Sequence, residues 1–517
     1  MFNNIQKYLY FIITFEYSTI FLYGTSSIPK NIPIINDNLI YQHKERRETV
    51  IEERKQEVIH YIYTLEGFRK ALKASKDNGK DDRIILDKGI YKVTSDNLGT
   101  FIFKDHERFN LTIEGKRGFS NQEVILDGEH THQVLNFSNT EKSSLILKNL
   151  SIINGNSSTS GGGIFSNQDI KIENCEILNN RTVGDGKNLG GGFYTKGKAI
   201  INASIISNNS SKSSSFYKNY GNGGGFYSSV TTLYRSIISE NTAFGYGGGF
   251  YSDKISIMES TISNNQAKRS GGGFYGIKSS IINSKITNNS TENDGGGFYS
   301  LFTTIKSSII KKNKSEFYGG GFYSEGLTLN SSFIAENSAK RGGGFENGFN
   351  DVFILNTIFL KNSAKEGAIF NSSAFNSKQY ISNNLFLKNR GGILTQGIFI
   401  NNIFKENEKD LILLGDSVIY NNYIDNRKIR DNGFEITKKR NLEASVVGEV
   451  YLTQNYKDLQ SSSVLRNKGI DPTSRLYKKI IGNEQEVYMK ILKLFNTKRV
   501  IKGLKKMGPI NFTISVI

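Results

Sequence analysis

Sequences of the form Gly-Gly-Gly-Phe recur along this chain at a nearly constant spacing. From Phe226 onward, successive closing residues are 24, 24, 24, 24, 23, 24 and 24 positions apart. The apolar residues that close the copies are Ile164, Phe193, Phe226, Phe250, Phe274, Phe298, Phe322, Phe345, Ile369 and Ile393. A period in this range indicates one small supersecondary unit repeated many times.

A second marker, an apolar residue three positions before an asparagine, accompanies each repeat. These asparagines are Asn156, Asn180, Asn209, Asn241, Asn265, Asn289, Asn313, Asn337, Asn362, Asn389 and Asn407. The interval from the phenylalanine to the next asparagine is the same in the five units that start at Phe226, Phe250, Phe274, Phe298 and Phe322. The return from an asparagine to the next closing residue varies, from the short step Asn389–Ile393 to the long one Asn209–Phe226, so one turn accommodates the insertions.

The repeats favour strands over helices. Between Phe250 and Asn265, Ile255 and Ile257 alternate with polar residues, and Ser, Asn and Gly interrupt the pattern. Identical units with two or three short strands each are typical of a parallel β-helix, in which a strand pairs with its copy one coil away. The sequence therefore predicts an all-β, parallel β-helix of about 12–14 coils.

In such a fold, equivalent residues form columns. The phenylalanine column, including Phe193 to Phe345, is predicted to face the core. Its neighbour must then face outward, since side chains alternate along a strand. The tyrosines of this second column are Tyr194, Tyr227, Tyr251, Tyr275, Tyr299 and Tyr323. The asparagines, among them Asn241, Asn265, Asn289, Asn313 and Asn337, are predicted to form a ladder at a corner.

The flanking segments complete the predicted domain organisation. Residues 1–24 are a possible signal peptide or hydrophobic leader, with a membrane-associated segment or a wrongly assigned start as alternatives. Residues 25–60 are predicted to be a charged linker, 61–475 the β-helix and 476–517 a basic helical tail or cap. Leu65 to Lys76 carries Leu65, Phe68, Ala71 and Leu72 on one helical face, which predicts a helix that caps the first coil. No later run is apolar and long enough to span a membrane.

The repeats resemble those of chlamydial polymorphic outer membrane proteins. The resemblance rests on pairs such as Gly247–Phe250 with Ile262–Asn265, and on the local copies Gly367-Ala368-Ile369 and Phe359–Asn362. The opening coils, at Thr64–Leu72, Asp82–Val93 and Glu123–Gly128, resemble right-handed parallel β-helix proteins of the pectate-lyase-like group, which implies a right-handed coil. These resemblances imply the fold and say little about activity, because one fold hosts many functions.

Charge and cysteine content limit the partners. The net charge is +18, and Lys490 to Lys506 is the densest basic cluster, an anchor for an anionic surface or simply part of a lysine-rich composition. Zinc, helix-turn-helix and RNA-recognition patterns are missing from the sequence, so we expect no specific nucleic-acid binding. The single cysteine, Cys175, is predicted to be a structural residue.

Candidate chemical sites are few. Carboxylates at equal phase, which a glycoside hydrolase needs in pairs, do not form a column, and Glu240, Glu336 and Glu406 are best interpreted as turn residues. Asp127, Glu129, His130 and His132 form a compact group that is either an exposed loop or a weak metal site. We expect no metal site elsewhere, no cofactor and no catalytic residue.

The tyrosine column is the most distinctive functional candidate. A row of outward aromatic rings can bind sugars or a protein partner, although tyrosine is also a favourable strand residue that stacks on itself. The insertions Arg181–Asn188 and Ser210–Asn222 leave the same turn, as a binding edge or as flexible decoration. We expect an exported, non-enzymatic solenoid, extracellular or on the cell surface, that binds a polysaccharide or a cell-surface protein in adhesion or contact with the cell envelope. The alternative is a polysaccharide lyase or glycoside hydrolase on the same fold.

Overall fold

The chain forms the predicted all-β parallel solenoid. The computed structural model describes residues 57–94, 96, 98–184, 186–213, 221–372, 379–408, 411–420, 422–424, 429–430, 436–439 and 442–443. Within these ranges there is one α-helix, and all strand pairs are parallel. About 13 coils stack in a right-handed parallel β-helix, within the predicted range of 12–14 coils.

Three parallel sheets line the coils. Sheet 1 contains 23 strands. They are Glu57–Ile62, Asp81–Leu86, Phe101–Asp105, Leu111–Gly115, Leu135–Asn139, Ser144–Lys148, Ile164–Ser166, Asp169–Glu173, Phe193–Thr195, Lys198–Asn202, Phe226–Tyr234, Phe250–Met258, Phe274–Ile282, Phe298–Lys306, Phe322–Asn330, Phe345–Asn347, Val352–Leu355, Phe370–Ser372, Gln379–Ser382, Ile393–Ile400, Leu411–Tyr420, Ile429–Arg430 and Ile436–Lys439.

Sheets 2 and 3 contain 15 and 9 strands. Sheet 2 is made of Gly89–Lys92, Val124–Asp127, Ser151–Ile153, Glu176–Leu178, Ile205–Ser207, Ile237–Ser239, Thr261–Ser263, Lys285–Thr287, Ile309–Lys311, Phe333–Ala335, Ile358–Leu360, Leu385–Leu387, Ile403–Lys405, Tyr423–Ile424 and Leu442–Glu443. Sheet 3 is made of Asn156–Ser157, Arg181–Gly184, Ser210–Ser213, Thr242–Ala243, Gln266–Ala267, Ser290–Thr291, Lys314–Ser315, Ser338–Arg341 and Ser363–Glu366.

The core is a set of stacked apolar columns. In the strand Phe250–Met258, buried positions alternate with more accessible ones. The alternation is interrupted once, at the two consecutive accessible residues Asp253 and Lys254. Phe226, Phe250, Phe274 and Phe298 pair in register and are fully buried. Their ring centroids lie 4.7 to 5.2 Å apart, close to the spacing of paired strands, so each coil places its ring against the next.

The marker asparagines form a buried hydrogen-bonded ladder. The backbone N–H and the side-chain Nδ2 of Asn265 both donate to Oδ1 of Asn289, at 2.9 and 3.0 Å, and Nδ2 also donates to the Ile238 carbonyl at 2.9 Å. The same three contacts recur at Asn241, Asn289 and Asn313. Every polar hydrogen of these buried amides therefore has an acceptor, which is the condition for placing asparagine in a core.

A second polar ladder, which the sequence analysis did not identify, lies at the other end of sheet 2. In this ladder the backbone N–H of Ser236 donates to Oγ of Ser260, and Ser260 donates to Ser284 in the same way. Its serines are Ser204, Ser236, Ser260, Ser284, Ser308 and Ser332. Buried asparagines continue the column later in the chain, with Asn384 donating to Asn402. The three-residue strands of sheet 2 are thus held between two polar ladders.

Tight corners need unusual backbone geometry. The first glycine of a triplet, such as Gly271, has a positive φ of 79°, which side-chain-bearing residues rarely adopt. At the second glycine, Gly272, an added Cβ would lie 2.2 Å from the carbonyl oxygen of Gly296 in the next coil. The triplet is therefore required by the close approach of consecutive coils.

A short helix closes the described N-terminal end. It spans Leu65–Ala74, begins after the N-cap Thr64, whose side chain accepts from the Gly67 N–H, and buries Phe68, Ala71 and Leu72. Phe68 packs against Phe101 at a centroid distance of 4.8 Å, so the helix covers the first apolar column. Strand Glu57–Ile62 lies across the predicted boundary at residue 61 and pairs with Asp81–Leu86. The predicted leader and the predicted basic tail lie outside the described residues.

Candidate functional site: a tyrosine ladder and an aromatic groove

The six predicted tyrosines form one continuous ladder on the outside of sheet 1. Neighbouring rings from Tyr194 to Tyr323 are stacked, with centroid distances of 4.6 to 5.6 Å and interplanar angles of at most 21°. Each tyrosine is partly exposed, in contrast to the buried phenylalanine beside it. Phe165 extends the stack by one coil at a centroid distance of 5.4 Å.

Stacking determines which parts of the tyrosine rings are exposed to a ligand. The face of each inner ring lies against the next ring, so the rings present their edges and hydroxyl groups to solvent. Burial raises the pKa of Tyr251, Tyr275 and Tyr299, and it raises the pKa of Tyr323 to about 12. The ladder is therefore a row of neutral hydroxyl groups, suited to hydrogen bonding and not to stacking of sugar rings on its inner members.

The ladder ends beside a buried carboxylate. Glu346 occupies the next position of the column. Unlike the partly exposed tyrosines, Glu346 is only 4% exposed. Its Oε1 lies 3.4 Å from the Arg341 guanidinium, so an ion pair accompanies the buried charge.

An open groove lies where the ladder ends. A Cβ built on Gly348 would lie 2.8 Å from the Tyr323 hydroxyl, so the turn that carries Gly348 and Phe349 touches the ladder. On the far side of this turn, Phe302 and Phe349 line a groove of about 440 Å³. The Phe302 side chain is 47% exposed and that of Phe349 is 70% exposed.

The groove exists because one column changes side-chain size from coil to coil. Lys254, Lys278, Phe302 and Gly326 occupy consecutive positions of this outward column. Gly326 has no side chain, and the Phe302 ring lies over it, with Cδ1 3.1 Å from where a Cβ would be. An aromatic platform is thus exposed at a gap in the outer surface.

Polar groups surround the two rings. The groove is also lined by Lys278, Thr304, Thr328, Asn350 and Asp351. Together they supply hydroxyl, amide, ammonium and carboxylate groups around apolar ring surfaces. This combination of ring surface and convergent polar groups is typical of small-ligand sites. The sequence signal was a phenylalanine among lysine and glycine in a solvent-facing column, which the periodicity of the core did not reveal.

The compact acidic and histidine group does not converge on a metal position. Oδ1 of Asp127 accepts from the Glu129 N–H at 2.9 Å and from Asn154 Nδ2 at 3.0 Å. Glu129 pairs with Lys92 Nζ at 2.9 Å and also accepts from the Thr94 hydroxyl. Within the described part of the chain, no group of three or more such residues has the arrangement of a metal site.

The same loop borders a second groove at the insertions. His132, Asn156, Arg181 and Val183 are among the residues that line a groove of about 590 Å³. Arg181–Gly184 and Ser210–Ser213 pair as neighbouring strands of sheet 3, so both insertions leave the same turn. Parts of these insertions, residue 185 and residues 214–220, lie outside the described residues.

The three corner glutamates and the single cysteine have structural roles. Glu240, Glu336 and Glu406 have left-handed backbone conformations at the corner that precedes the asparagine ladder. Lys311 Nζ lies 3.1 Å from Glu336 Oε1, and Lys388 Nζ lies 3.3 Å from Glu406 Oε2, so both carboxylates are in ion pairs. Cys175 is buried, and burial raises the pKa of its thiol to about 12, which disfavours the reactive thiolate.

Comparisons with known proteins assign no family to this chain. No protein-family model matches the chain. No curated protein matches it either. Among solved structures, it is similar to the A-module of mannuronan C-5 epimerase AlgE6 from Azotobacter vinelandii, with 12% identity and a TM-score of 0.28 over 74% of this chain and 96% of that chain. A similarity at this level carries no argument, and the two resemblances, one inferred from the repeats and one from the opening coils, stay predictions.

Proposed function

We propose that this chain is an exported, non-enzymatic β-solenoid that binds glycans in adhesion or in contact with a cell envelope. The observation that carries the proposal is the groove in which Phe302 and Phe349 expose apolar ring surface among hydroxyl and amide groups. Sugar rings combine apolar C–H faces with hydroxyl groups at their edges. A site that offers both kinds of contact is complementary to them.

The scaffold supports a binding role because it fixes the spacing of its surface groups. Ring centroids in the tyrosine ladder repeat at about 5 Å, and the turn that carries Gly348 and Phe349 contacts Tyr323 at the end of the ladder. The hydroxyl edges of the ladder extend the hydrogen-bonding surface beyond the groove. A polymer with repeated hydroxyl groups therefore has more contacts available than a single sugar.

Export and cellular location belong to the same proposal. They rest on the apolar leader in residues 1–24 and on the basic segment Lys490–Lys506, both outside the described residues. Among the described residues, no helix is both long and apolar enough to cross a membrane.

The test is binding of the full chain to an array of neutral and acidic glycans, followed by calorimetry with the best ligand. We expect the double variant Phe302→Ala/Phe349→Ala to bind at least about fivefold more weakly, because each lost aromatic contact is worth about 0.5–1.5 kcal/mol. Phe302→Tyr, which keeps the ring, should bind like the wild type.

Phe317→Ala is the matched control, since Phe317 is 45% exposed but lies on the corner of sheet 3 with Tyr318 and Lys340. Its binding should be unchanged. Equal losses in Phe317→Ala and in the double variant would show that the groove is not the site. Recovery of shortened or modified glycan would overturn the non-enzymatic part and favour the lyase or hydrolase alternative.

A further inference from the structure

The outer surface of the later coils is apolar and buried, although strand alternation directs it away from the core. Ile358, Leu385 and Ile403 pair in register in sheet 2 and are at most 1% exposed. Between Ile358 and Leu360 the inward residue is Phe359, which stacks on Phe386 inside the coil. Both faces of these short strands are therefore shielded from water.

The same columns are more accessible in the earlier coils. The residues that precede Ile358 in its column are partly exposed whether they are polar or apolar, and they are Thr261, Lys285, Ile309 and Phe333. The neighbouring column changes from Ser263, Thr287 and Lys311 to Leu360 and Leu387, which are 8% and 1% exposed. The first column thus becomes buried at Ile358, and the second changes to large apolar residues at the same coil, with Leu360.

The adjoining part of sheet 1 changes in the same way. Thr304 and Thr328 are followed in register by Phe353 and Tyr380, which are 5% and 4% exposed. Phe353 and Tyr380 stack with centroids 5.3 Å apart. We call the outward residues Phe353, Leu355, Ile358, Leu360, Tyr380, Leu385, Leu387 and Ile403 the apolar outer face.

Little of the described chain is available to cover the apolar outer face. The described elements with extensive contacts to Ile358–Leu360 are its two neighbours in sheet 2, Phe333–Ala335 and Leu385–Leu387. The helix of the described part, Leu65–Ala74, contacts strands of the first coils. Large apolar side chains in a solvent-facing column need a covering element, since leaving them in water is unfavourable.

We propose that the C-terminal segment, residues 444–517, packs against the apolar outer face through Val487, Tyr488, Ile491, Leu492 and Phe495. These residues recur at helical spacing and form one side of an amphipathic pattern whose other side carries Lys490 and Lys493. From Val487 to Phe495, eight residue steps at about 1.5 Å each span about 12 Å. The three strands that carry Ile358, Leu385 and Ile403 span about 10 Å, two strand spacings of about 4.8 Å. The apolar stripe and the apolar outer face thus have matching lengths, and the lysines remain in solvent. The apolar outer face adjoins the groove at Phe353, but the proposed docking does not depend on the groove.

Trypsin cleavage of the basic tail can measure whether the tail is docked. Trypsin cleaves after lysine and arginine, and Lys490, Lys493, Lys498, Arg499 and Lys502 all lie in or directly after the proposed contact. A docked segment is cleaved only when it opens, so cleavage rates report the stability of the docking. The full chain is digested briefly, and the cleavage sites are assigned by mass spectrometry.

We expect Leu360→Asp/Leu387→Asp to raise the cleavage rate in residues 490–502 at least about tenfold, because two apolar contacts are lost and two charges would be buried. Lys311 and Lys405 occupy the same column, so the strands themselves tolerate a charged residue at these positions. Ser263→Asp/Thr287→Asp is the matched control, since it places the same charges in adjacent, accessible coils of that column. Its cleavage rate should equal that of the wild type.

A reciprocal variant makes the test independent of any folding defect in the coils. Ile491→Asp/Leu492→Asp changes the tail alone and should raise cleavage at Lys498 and Arg499 by a similar factor, with an unchanged circular dichroism spectrum. If wild-type tail sites are already cleaved as fast as in both variants, the proposal is wrong. Protection that disappears on dilution, with a dimeric mass by sedimentation, would instead assign the apolar outer face to a second copy. Faster cleavage confined to residues 1–56 in the Leu360→Asp/Leu387→Asp variant would assign it to the N-terminal segment.

Discussion

At the residue scale, stability depends on side chains whose hydrogen bonds are completed by the next coil. Asn289 illustrates this, since its Oδ1 accepts two hydrogen bonds from Asn265 while its own amide donates to Asn313 and to the Ile262 carbonyl. One side chain therefore satisfies donors in two coils. Removing it leaves buried N–H groups without an acceptor, which costs more than the loss of an ordinary hydrogen bond.

We expect Asn289→Ala to destabilise the protein by about 3 kcal/mol, because several buried polar groups lose their partners at once. The measurement is the shift of the urea unfolding midpoint. The control is Asn288→Gly at the neighbouring exposed residue, whose φ of 56° suits glycine, and it should change the free energy of unfolding by no more than about 0.5 kcal/mol. A loss at Asn289 no larger than at Asn288 would contradict the ladder account.

How far single residues could be predicted depended on how distinctive each column is. The Gly-Gly-Gly-Phe and asparagine columns could be predicted because the same residue types recur at the same position of successive repeats. The serine ladder was missed although Ser236, Ser260, Ser284, Ser308 and Ser332 all follow their phenylalanine marker at one constant interval. Serine is frequent throughout these repeats, so a buried serine and an exposed one have the same sequence context.

At the element scale, the glycine corner sets how closely two coils approach. Gly272 faces the Gly296 carbonyl of the next coil, so a methyl group there meets backbone that cannot rotate away. The chain passes from sheet 3 to sheet 1 at this corner and keeps its register from one coil to the next. The space available at a corner therefore depends on the neighbouring coil as well as on the coil that forms the corner.

We expect Gly272→Ala to lower the free energy of unfolding by about 3 kcal/mol, the upper part of the range for overpacking. Thermal and urea unfolding followed by circular dichroism would measure it. Gly186→Ala is the comparison, because a Cβ at Gly186 meets no atom within 4 Å, and its unfolding midpoint should not move. Equal midpoints for the two variants would show that the corner is looser than described.

Sequence reasoning could place the strands of the repeats and any element with a distinctive local pattern. The capping helix was predicted from Leu65 to Lys76 and spans Leu65–Ala74, because its apolar face and its N-cap Thr64 are local features. The groove at Phe302 and Phe349 could not be predicted. It depends on which side chain stands beside which across coils, and Phe349 lies in a turn without a repeated marker.

At the scale of the whole molecule, the coil is the unit of construction. Consecutive coils from Phe226 to Phe322 are joined by the same pairings in sheets 1 and 2 and by the same asparagine contacts. A segment with this regularity has no contact that requires one particular number of coils. Stability in such proteins is close to a sum over coils and their interfaces.

We expect deletion of one whole repeat, from Phe250 to Gly273, to leave a folded solenoid with one coil fewer, because Gly249 would then lead into Phe274 in the same phase. The ellipticity per residue should match that of the wild type. Deletion of half a repeat, from Phe250 to Thr261, should abolish cooperative unfolding, because it places turn residues in strand columns. A folded half-coil deletion with native-like unfolding would contradict the columnar account.

The direction of the hydrogen bonds between coils also determines how the molecule responds to force. These bonds run along the solenoid axis, because each strand pairs with the strand of the next coil. A pull along that axis loads the interfaces in series, and the weakest one separates first. A released coil, one repeat long, supplies roughly 80 Å of extended chain. Under tension the protein would therefore lengthen in steps, and the coils that stay closed would keep the groups they present to a bound surface.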